Sequence, residues 1–512
     1  MKRYILHLLI VVLIVPFSLL KGQSNRPLRV EFSSLGRNDD YSVLLADDLG
    51  LIVLRDDGKN KENQNVWRLF GYSTEMEQKW KSTILIDKDF NLSRKFYKEK
   101  YAYLLFLDSQ NKESGIKQYR IDLDSGKIDS TSYNVEGKLN IKDFKAINGK
   151  SFVLGIDIKG LKNFLSNIFS SSKDEGRRIR LIHYDWEKDK MQLISDSIDA
   201  GMRPKRLDIF EHSKTVDVYT AIDVSNNRDD IWMYSYTYEG KFHKKYKFSP
   251  VNGKFVVELA VTSQGNNRHI AATMSSLRDR YDRYEDYTDG IYLSVFKNGK
   301  EAVSRFYKLS SLNSFYAKAD ANMFRFFPGR KKVAGSVGYQ INMHPQIKGN
   351  GDEMILLAEA YYPEYHTEWY YDAYGVARTR YIFDGYRFTH ALAIAFNDNA
   401  EITWDESLKI SGIRSYSRRK RVDIISDGSV AGIAYNLDNE LHYQLVVNGQ
   451  AENGAQAVTL PLVHSNDQLK KSQEGRINFW YDDYLLASGY QKIDNRNKGN
   501  RRVFYIYKIG FQ

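Results

Sequence analysis

The sequence contains no cysteine and only 8 prolines in 512 residues. Without thiols, the chain has no cysteine nucleophile, disulfide framework, zinc ribbon or iron–sulfur cluster. No apolar run after residue 20 is long enough to cross a bilayer as a helix, which excludes a polytopic helical membrane protein. The lack of a linker rich in proline or serine argues against a string of small separate domains.

Aromatic residues, in contrast, are abundant: the chain has 37 Tyr, 26 Phe and 7 Trp. Aromatic and β-branched side chains favour the pleated, half-buried surfaces of sheets, so the composition predicts a β-rich protein. The formal net charge is +11, and the positive charges are spread along the chain. This surplus favours anionic partners such as glycans or lipid headgroups, and we predict no nucleic-acid binding.

Residues 1–23 have the pattern of a secretory signal peptide, with Lys2 and Arg3 before an apolar run from Tyr4 to Leu20. We expect cleavage near Gly22; the alternative is an uncleaved N-terminal anchor. No cysteine follows the apolar run, so the protein is not a lipoprotein. A large exported chain without cysteine fits a bacterial envelope. We therefore predict Sec-dependent export to the periplasm or the outer-membrane periphery, with peripheral membrane contact at most.

Residues 24–512 repeat one unit, which is an alternating strand, a tight polar turn and a second alternating strand. The unit occurs seven times, with turns near residues 73, 124, 187, 239, 298, 398 and 448. The turns are 50 to 63 residues apart except for one step of 100. This period is typical of four-stranded propeller blades. Further apolar strands upstream of several hairpins, such as Ser151–Ile156, would be inner blade strands.

The fold class that follows is all-β, with a single large β-propeller over residues 24–512. The strands Leu28–Phe32 and Val503–Phe511 have no local partner, and pairing them would close the ring. We count eight blades, with seven as the alternative, because the long step holds either an insertion or a degenerate unit. An outer-membrane β-barrel is the structural alternative, since it also uses alternating strands and aromatic residues.

Two insertions interrupt the repeats. Residues 160–176 place apolar side chains at helical spacing, which predicts one short amphipathic helix that either caps the propeller or docks a partner. Residues from about 345 to 386 form an aromatic loop insertion, in which Tyr361–Tyr374 holds seven Tyr or Trp side chains in fourteen residues. This segment is either a protein hot spot, a sugar platform or a long hairpin packed on its own blade.

Basic clusters lie at Arg418–Arg421, Arg330–Lys332 and Arg177–Arg178. Such clusters are usually solvated turns, and on one shared rim they would form an anion-attracting face. The mixed-charge segment Arg278–Tyr287 has the pattern of a solvated loop tip. The candidate partner-binding residues are therefore Tyr361, Tyr362, Tyr365, Trp369, Tyr370, Tyr371, Arg418, Arg419 and Arg421.

Catalytic motifs are scarce in the sequence. The ten histidines form no zinc-protease motif, and neither a nucleophile elbow nor a phosphate-binding glycine loop is present. We predict no catalytic residue, cofactor or metal. A glycosidase pair of carboxylates stays open, because its two acids can come from any two blades.

Two stretches, Glu359–Glu364 and Phe383–Ala391 continuing to Asp405, resemble a signature of uncharacterised envelope proteins of the Bacteroidota. Within that group the chain is similar to the plug proteins of type IX secretion translocons. This resemblance implies a non-enzymatic, protein-contact role at a secretion machinery, and it brings no residue roles with it. We therefore expect a protein-interaction module of the cell envelope. The alternative is a propeller that binds or hydrolyses glycans.

Overall fold

In the computed structural model, the described residues are 28–34, 41–59, 62–108, 113–158, 178–225, 228–249, 251–276, 288–317, 340–345 and 353–511. They form eight antiparallel sheets, each with four strands in a row. We number these sheets as blades 1 to 8 in chain order. The first strands contact one another in six of the eight pairs of neighbouring blades, so they lie around a common axis. The predicted β-propeller with eight blades is confirmed.

The chain enters through β1 (Arg29–Ser33), and blades 1 to 4 follow. Blade 1 consists of β2 (Tyr41–Leu45), β3 (Leu51–Lys59), β4 (Gln64–Tyr72) and β5 (Gln78–Asp87). Blade 2 consists of β6 (Asn91–Lys98), β7 (Tyr101–Asp108), β8 (Glu113–Asp122) and β9 (Ile128–Glu136). Blade 3 consists of β10 (Lys138–Ile147), β11 (Lys150–Ile158), β12 (Ile179–Asp185) and β13 (Lys190–Leu193). Blade 4 consists of β14 (Arg203–Phe210), β15 (Thr215–Ser225), β16 (Arg228–Thr237) and β17 (Phe242–Lys247).

Blades 5 to 8 complete the ring. Blade 5 consists of β18 (Phe255–Gln264), β19 (Asn267–Ser275), β20 (Gly290–Lys297) and β21 (Lys300–Lys308), followed by the short helix α1 (Asn313–Ala317). Blade 6 consists of β22 (Gln340–Pro345), β23 (Met354–Tyr371), β24 (Ala377–Phe396) and β25 (Ile402–Lys409), with β26 (Arg414–Ser415) beside β24. Blade 7 consists of β27 (Val422–Ser426), β28 (Val430–Leu437), β29 (Glu440–Val447) and β30 (Gln450–Thr459). Blade 8 consists of β31 (Asp467–Tyr481), β32 (Tyr484–Asn495), β33 (Arg501–Gly510) and β1. In the described part of the chain, 3₁₀ turns lie at Asp47–Leu49, Ser195–Ser197 and Leu309–Ser311.

Burial decreases from the inner strands of a blade to its outer strand. The second strands are almost wholly buried, as in β19, because a blade packs on each of their faces. The fourth strands, such as β30, are largely exposed. The core therefore consists of apolar clusters between neighbouring blades. One such cluster joins Leu54 and Leu69 of blade 1 to Leu104 and Phe106 of blade 2.

The ring closes through β1, which is the outer strand of blade 8. It pairs with β33 in an unbroken register from Arg29 opposite Tyr507 to Ser33 opposite Val503. The predicted pairing of the two chain ends is confirmed, with strand ends shifted by one or two residues. We call the pairing of β1 with β33 the seam. Arg501 stabilises it, because its guanidinium forms ion pairs with Glu31 of β1 and Asp467 of β31.

The seven predicted hairpins are all present as the third and fourth strands of blades 1 to 7. Ser151–Ile156 lies in β11, the second strand of blade 3. The long step of 100 residues holds the last strand of blade 5 and the first three strands of blade 6, with no additional described sheet. The predicted signal peptide, the helix at 160–176 and the segments Arg278–Tyr287 and Arg330–Lys332 lie outside the described residues.

Strand alternation fixes which connections share an end of the propeller. In each blade, the first strand starts at one end of the ring, and the turn between the second and third strands returns to that same end. The turn between β23 and β24 and the segment 410–421 that leads into β27 therefore lie at one end. We call this end the hairpin end.

Candidate functional site

The most distinctive feature of the hairpin end is the ribbon formed by β23 and β24. These strands have 18 and 20 residues, far longer than the others in their sheet. Among the described residues, β22 pairs with this ribbon as far as Tyr361, and β26 pairs with Tyr386 and Arg387. Beyond these points the described part of the ribbon has two strands. At ~3.3 Å per residue, the ten residues from Tyr362 to Tyr371 extend about 30 Å. Most of the predicted insertion at about 345–386 is thus a β-hairpin of blade 6, which was one of the alternatives for this segment.

Local chemistry explains the turn and the bend of this ribbon. The side chain of Asp372 accepts hydrogen bonds from the backbone N–H groups of Tyr374 and Val376 at 2.9 and 3.0 Å. Gly375 then takes a φ of +75°, which glycine adopts without strain. Near the base, the register slips by one residue between Glu364 and Tyr365. There Gly385 has a φ of +120°, and a Cβ atom on it would lie 3.0 Å from the carbonyl oxygen of Ser415.

The strand register separates the ribbon side chains into two faces. Cross-strand partners share a face, and Tyr365 pairs with Phe383, Thr367 with Tyr381, and Trp369 with Thr379. One face therefore carries aromatic rings without a charged side chain between Tyr365 and Tyr371. We call it the aromatic face, and its rings belong to Tyr365, Trp369, Tyr371, Tyr381 and Phe383.

A continuous series of ring contacts, which we call the ladder, connects the aromatic face to the core of the blade. Tyr361 is buried and lies 5.4 Å from both Tyr386 and Phe388. Phe383 continues the ladder, 5.0 Å from Tyr386 and 5.5 Å from Tyr365. These edge and tilted contacts stabilise the base of the ribbon.

Toward the tip, the rings face solvent. Trp369, Tyr371 and Tyr381 are 73%, 77% and 74% exposed. Tyr374 at the turn and Tyr416 beside Phe383 are also exposed. A cluster of large exposed rings on one uncharged face is the usual mark of an interaction surface.

The opposite face, which we call the charged face, is held by ion pairs. Glu368 accepts from Arg380 at 2.7 Å, Asp372 from Arg378 at 2.6 Å, and His366 lies 2.7 Å from Asp384. These contacts neutralise the charges of the charged face.

The predicted site residues fall into three groups. Tyr365, Trp369 and Tyr371 lie on the aromatic face. Tyr362 and Tyr370 lie on the charged face, where Tyr370 is 5.6 Å from the guanidinium of Arg380. The remaining four are Tyr361 in the blade core and Arg418, Arg419 and Arg421 in the segment leading to β27.

The prediction that Tyr361 and Arg421 form a contact surface is wrong, because they are only 3% and 2% exposed. The backbone N–H of Arg421 donates to the carboxyl of Glu359, and its guanidinium donates to Ser415. Burial raises the pKa of Glu359 to about 7, although the hydrogen bonds from the backbone N–H groups of Arg421 and Val422 act to lower it. Arg418 and Arg419 are exposed, and the guanidinium of Arg418 lies 5.7 Å from the ring of Tyr386.

The sequence reasoning missed Tyr381 and Phe383. Two local signals could have found them. The sequence Asp-Ala-Tyr-Gly is typical of a tight turn, which would place the following strand beside the preceding one. After the turn, Arg378 and Arg380 alternate with Thr379 and Tyr381, as expected for a strand with one charged face.

Asp208 on β14 is a buried acid that lies near other carboxylates. Burial raises its pKa to about 6, and the charges of Asp217 and Asp143 act in the same direction. Both neighbours have structural roles, however. Asp143 accepts from the backbone N–H groups of Phe144 and Leu207, and Asp217 is buried against Arg268. Across the described residues, no group of three or more His, Asp or Glu side chains is arranged to hold a metal ion.

The structure contains no helix, within its described part, that is long and apolar enough to cross a membrane. No known protein-family profile matches the chain, and a search of curated proteins finds no relative.

Solved structures with similar shapes include three proteins. The polysaccharide lyase Uly1 is 11% identical over 82% of this chain and 90% of its own, with a TM-score of 0.41. AztD from Citrobacter koseri is 10% identical over 90% and 97%, with a TM-score of 0.37. A mutant apocarotenoid oxygenase from Synechocystis is 10% identical over 71% and 70%, with a TM-score of 0.33. Likeness at this level carries no argument about function.

Proposed function

We propose that this chain is a non-enzymatic binding protein of the bacterial envelope and that the aromatic face contacts a protein partner. One observation carries the proposal: a ribbon extends beyond its blade and exposes Trp369, Tyr371 and Tyr381 on one uncharged face. Tyr and Trp are the residues that dominate protein hot spots. They give a large contact area for few rotatable bonds.

The length and the stabilised base of the ribbon favour a partner that contacts it over an extended surface. An isolated two-stranded hairpin is marginally stable in water. Here the ring contacts stabilise the ribbon where it leaves the blade, and ion pairs stabilise its charged face. The exposed rings therefore lie on a stabilised pair of strands. Covering them removes apolar area from water without separating a charge from its partner.

Glycan binding at the same surface is the second candidate function. Three exposed rings without an intervening charge also offer flat platforms for the apolar faces of sugar rings. Export by the Sec pathway and association with an outer-membrane secretion machinery stay predictions of the sequence, and we include both in this proposal.

The experiment is a co-purification from native envelopes with the full mature chain as bait. Replacing Trp369, Tyr371 and Tyr381 together by Ala should remove the partner, since each hot-spot ring contributes about 2 kcal/mol or more, or roughly 30-fold in affinity. The matched control replaces Glu368 and Arg380 on the charged face by Gln.

Three outcomes decide the matter. Loss of a protein partner with the first variant and its retention with the control upholds the proposal. Retention of the full partner set with the first variant contradicts it. Binding of purified glycans that is lost with the first variant, without any protein partner, replaces it by the second candidate.

A further inference from the structure

The aromatic face of the ribbon carries large and small side chains on opposite diagonals. Its eight residues form four cross-strand pairs, which are Tyr365 with Phe383, Thr367 with Tyr381, Trp369 with Thr379, and Tyr371 with Ala377. In the second pair the ring lies on β24, and in the third pair it lies on β23. Trp369 and Tyr381 therefore each have a threonine beside them both along the strand and across the ribbon. The centre of the face is a checkerboard of two rings and two threonines.

Two copies of this checkerboard fit each other face to face when the ribbons run antiparallel. A two-fold axis that crosses the ribbon between the second and third pairs exchanges these two pairs, which are about 6.6 Å apart along the strands. Trp369 then lies over Thr367 of the second copy, and Tyr381 lies over its Thr379. Each central ring thus enters the space above a small side chain, as interdigitating residues do between packed sheets.

The two outer pairs extend the same contact. The axis brings Tyr371 over Tyr365 of the second copy and Ala377 over its Phe383. Tyrosine rings contact one another favourably in offset or edge geometry. The tip of each ribbon therefore lies on the base of the other, and the two propellers lie at opposite ends of the stacked ribbons.

The charges of the ribbon are compatible with this pairing. All eight residues of the aromatic face are uncharged, so no like charges meet when the face contacts itself. The charged face keeps its ion pairs between Glu368 and Arg380 and between Asp372 and Arg378 within one ribbon. That face stays in water in the stacked arrangement. A strongly charged partner would instead lose hydration against the aromatic face without gaining a counter-ion there.

The exposed area of the rings is large enough for a stable dimer. The six rings on or beside the aromatic face are 40% to 90% exposed, and they belong to Tyr365, Trp369, Tyr371, Tyr374, Tyr381 and Tyr416. At ~200 Å² per ring, their exposed part is roughly 850 Å². Each partner of a standard interface buries about 800 Å², whereas the largest apolar patch of a monomer is usually about 300–600 Å². The rings therefore match one half of a dimer interface.

We propose that the partner of the aromatic face is a second copy of this chain, with the two ribbons stacked antiparallel around a two-fold axis. This inference rests on the proposed function, because it names the partner of the same surface. A two-fold contact of this kind closes on itself, so it produces a dimer and no larger assembly.

Sedimentation velocity of the purified full mature chain measures the dimer. Wild type should sediment as a dimer at a concentration of about 100 µM. Trp369→Ala should raise the dissociation constant at least a hundredfold, because one hot-spot ring changes affinity roughly 30-fold and the dimer contains this ring twice. Glu368→Gln combined with Arg380→Gln is the matched control and should stay within twofold of wild type. A monomeric wild type, or equal weakening by both variants, overturns the second copy.

A crosslinking experiment tests the geometry without removing a ring. The chain has no cysteine, so a single introduced thiol gives no background. The axis places position 379 of the two copies about 10 Å apart, the spacing of packed sheets. A short bismaleimide should therefore link Thr379→Cys into dimers. Arg378→Cys is the matched control, since it is also exposed and lies on the charged face. Equal linking from both positions, or none from 379, contradicts the stacked ribbons.

Failure of this inference and failure of the proposed function give different results. A monomeric chain that co-purifies a different protein, and loses it when Trp369, Tyr371 and Tyr381 are replaced together by Ala, overturns the second copy and leaves the proposed function standing. Retention of every partner by that triple variant, the second copy included, overturns both.

Discussion

Replacing Arg501 by Met should weaken the closure of the propeller. Two of the guanidinium nitrogens of Arg501 bind the two carboxylate oxygens of Asp467 at 2.8 and 2.5 Å, and its Nε binds Glu31 at 3.1 Å. This single side chain thus connects the first, third and outer strands of blade 8. Arg29 of β1 makes a second link, because its guanidinium donates to Gln491 on β32 at 2.6 Å and lies 4.3 Å from the ring of Tyr505 on β33.

The expected loss in the free energy of unfolding follows from the burial of Asp467. The side chain of Asp467 is fully buried, and without Arg501 it keeps only the neutral donors Asn495 at 2.6 Å and the N–H of His464 at 3.0 Å. Removing one partner of a buried ion pair costs about 3–5 kcal/mol. Because 22% of the Arg501 side chain is exposed, we expect about 3 kcal/mol.

The stability that Asp467 contributes should depend on pH in a definite direction. The hydrogen bonds from Arg501 hold the pKa of Asp467 well below its ordinary value. The carboxylate therefore stabilises the fold above its unfolded pKa of about 3.9, and this contribution is lost as pH falls through the folded pKa. The difference between wild type and Arg501→Met should consequently shrink below about pH 4.

Urea unfolding followed by tryptophan fluorescence at pH 7 and at lower pH measures both effects. Arg305→Met is the matched control, because its ion pair with Glu401 is about half exposed on both sides and contributes less than about 1 kcal/mol. If Arg501→Met costs no more than the control at pH 7, the seam is not held as we describe.

Three further predictions concern the closing strand, the buried acid and the ribbon. Deleting residues 24–34 should lower the thermal midpoint of the whole molecule in one cooperative transition, and an unchanged midpoint in a calorimetric scan would contradict ring closure through β1. Burial holds the pKa of Glu359 near 7, so this group lowers stability by at most about 3 kcal/mol as pH rises from 4.5 to 8. Glu359→Gln should flatten that part of the stability profile, and a variant with the wild-type slope refutes the assignment. Single changes of Trp369, Tyr371 or Tyr381 to Ala should alter the free energy of unfolding by less than about 0.5 kcal/mol, since these rings are mostly exposed, and larger losses would show that they pack in the fold.

The hairpins were predictable because their signals are local. At Asn298-Gly299 and Asn448-Gly449, both residues of each turn have positive φ, which asparagine and glycine tolerate best. The closing pair was predictable for another reason, since two alternating strands at the chain ends had no neighbour in sequence. In both cases the physical cause lies within a few residues or follows from the need to cover an exposed edge.

The candidate sites were less predictable because they depend on register and on long-range contacts. The sequence shows that Tyr361–Tyr374 is aromatic, but the separation of Tyr370 from Trp369 onto opposite faces requires the hairpin itself. The hydrogen bond from the backbone N–H of Arg421 to Glu359 is harder still to predict, since these residues are far apart in sequence and belong to different blades. No local pattern marks such a long-range contact.

Photo-crosslinking from adjacent positions of the ribbon tests the central claim most directly. Tyr370 and Tyr371 are neighbours in sequence, and the register places their side chains on opposite faces. A benzophenone amino acid at position 371 should crosslink one envelope protein in living cells, and the same group at position 370 should give little or no crosslink. Equal crosslinking from both positions, or none from 371, would contradict an interaction through the aromatic face.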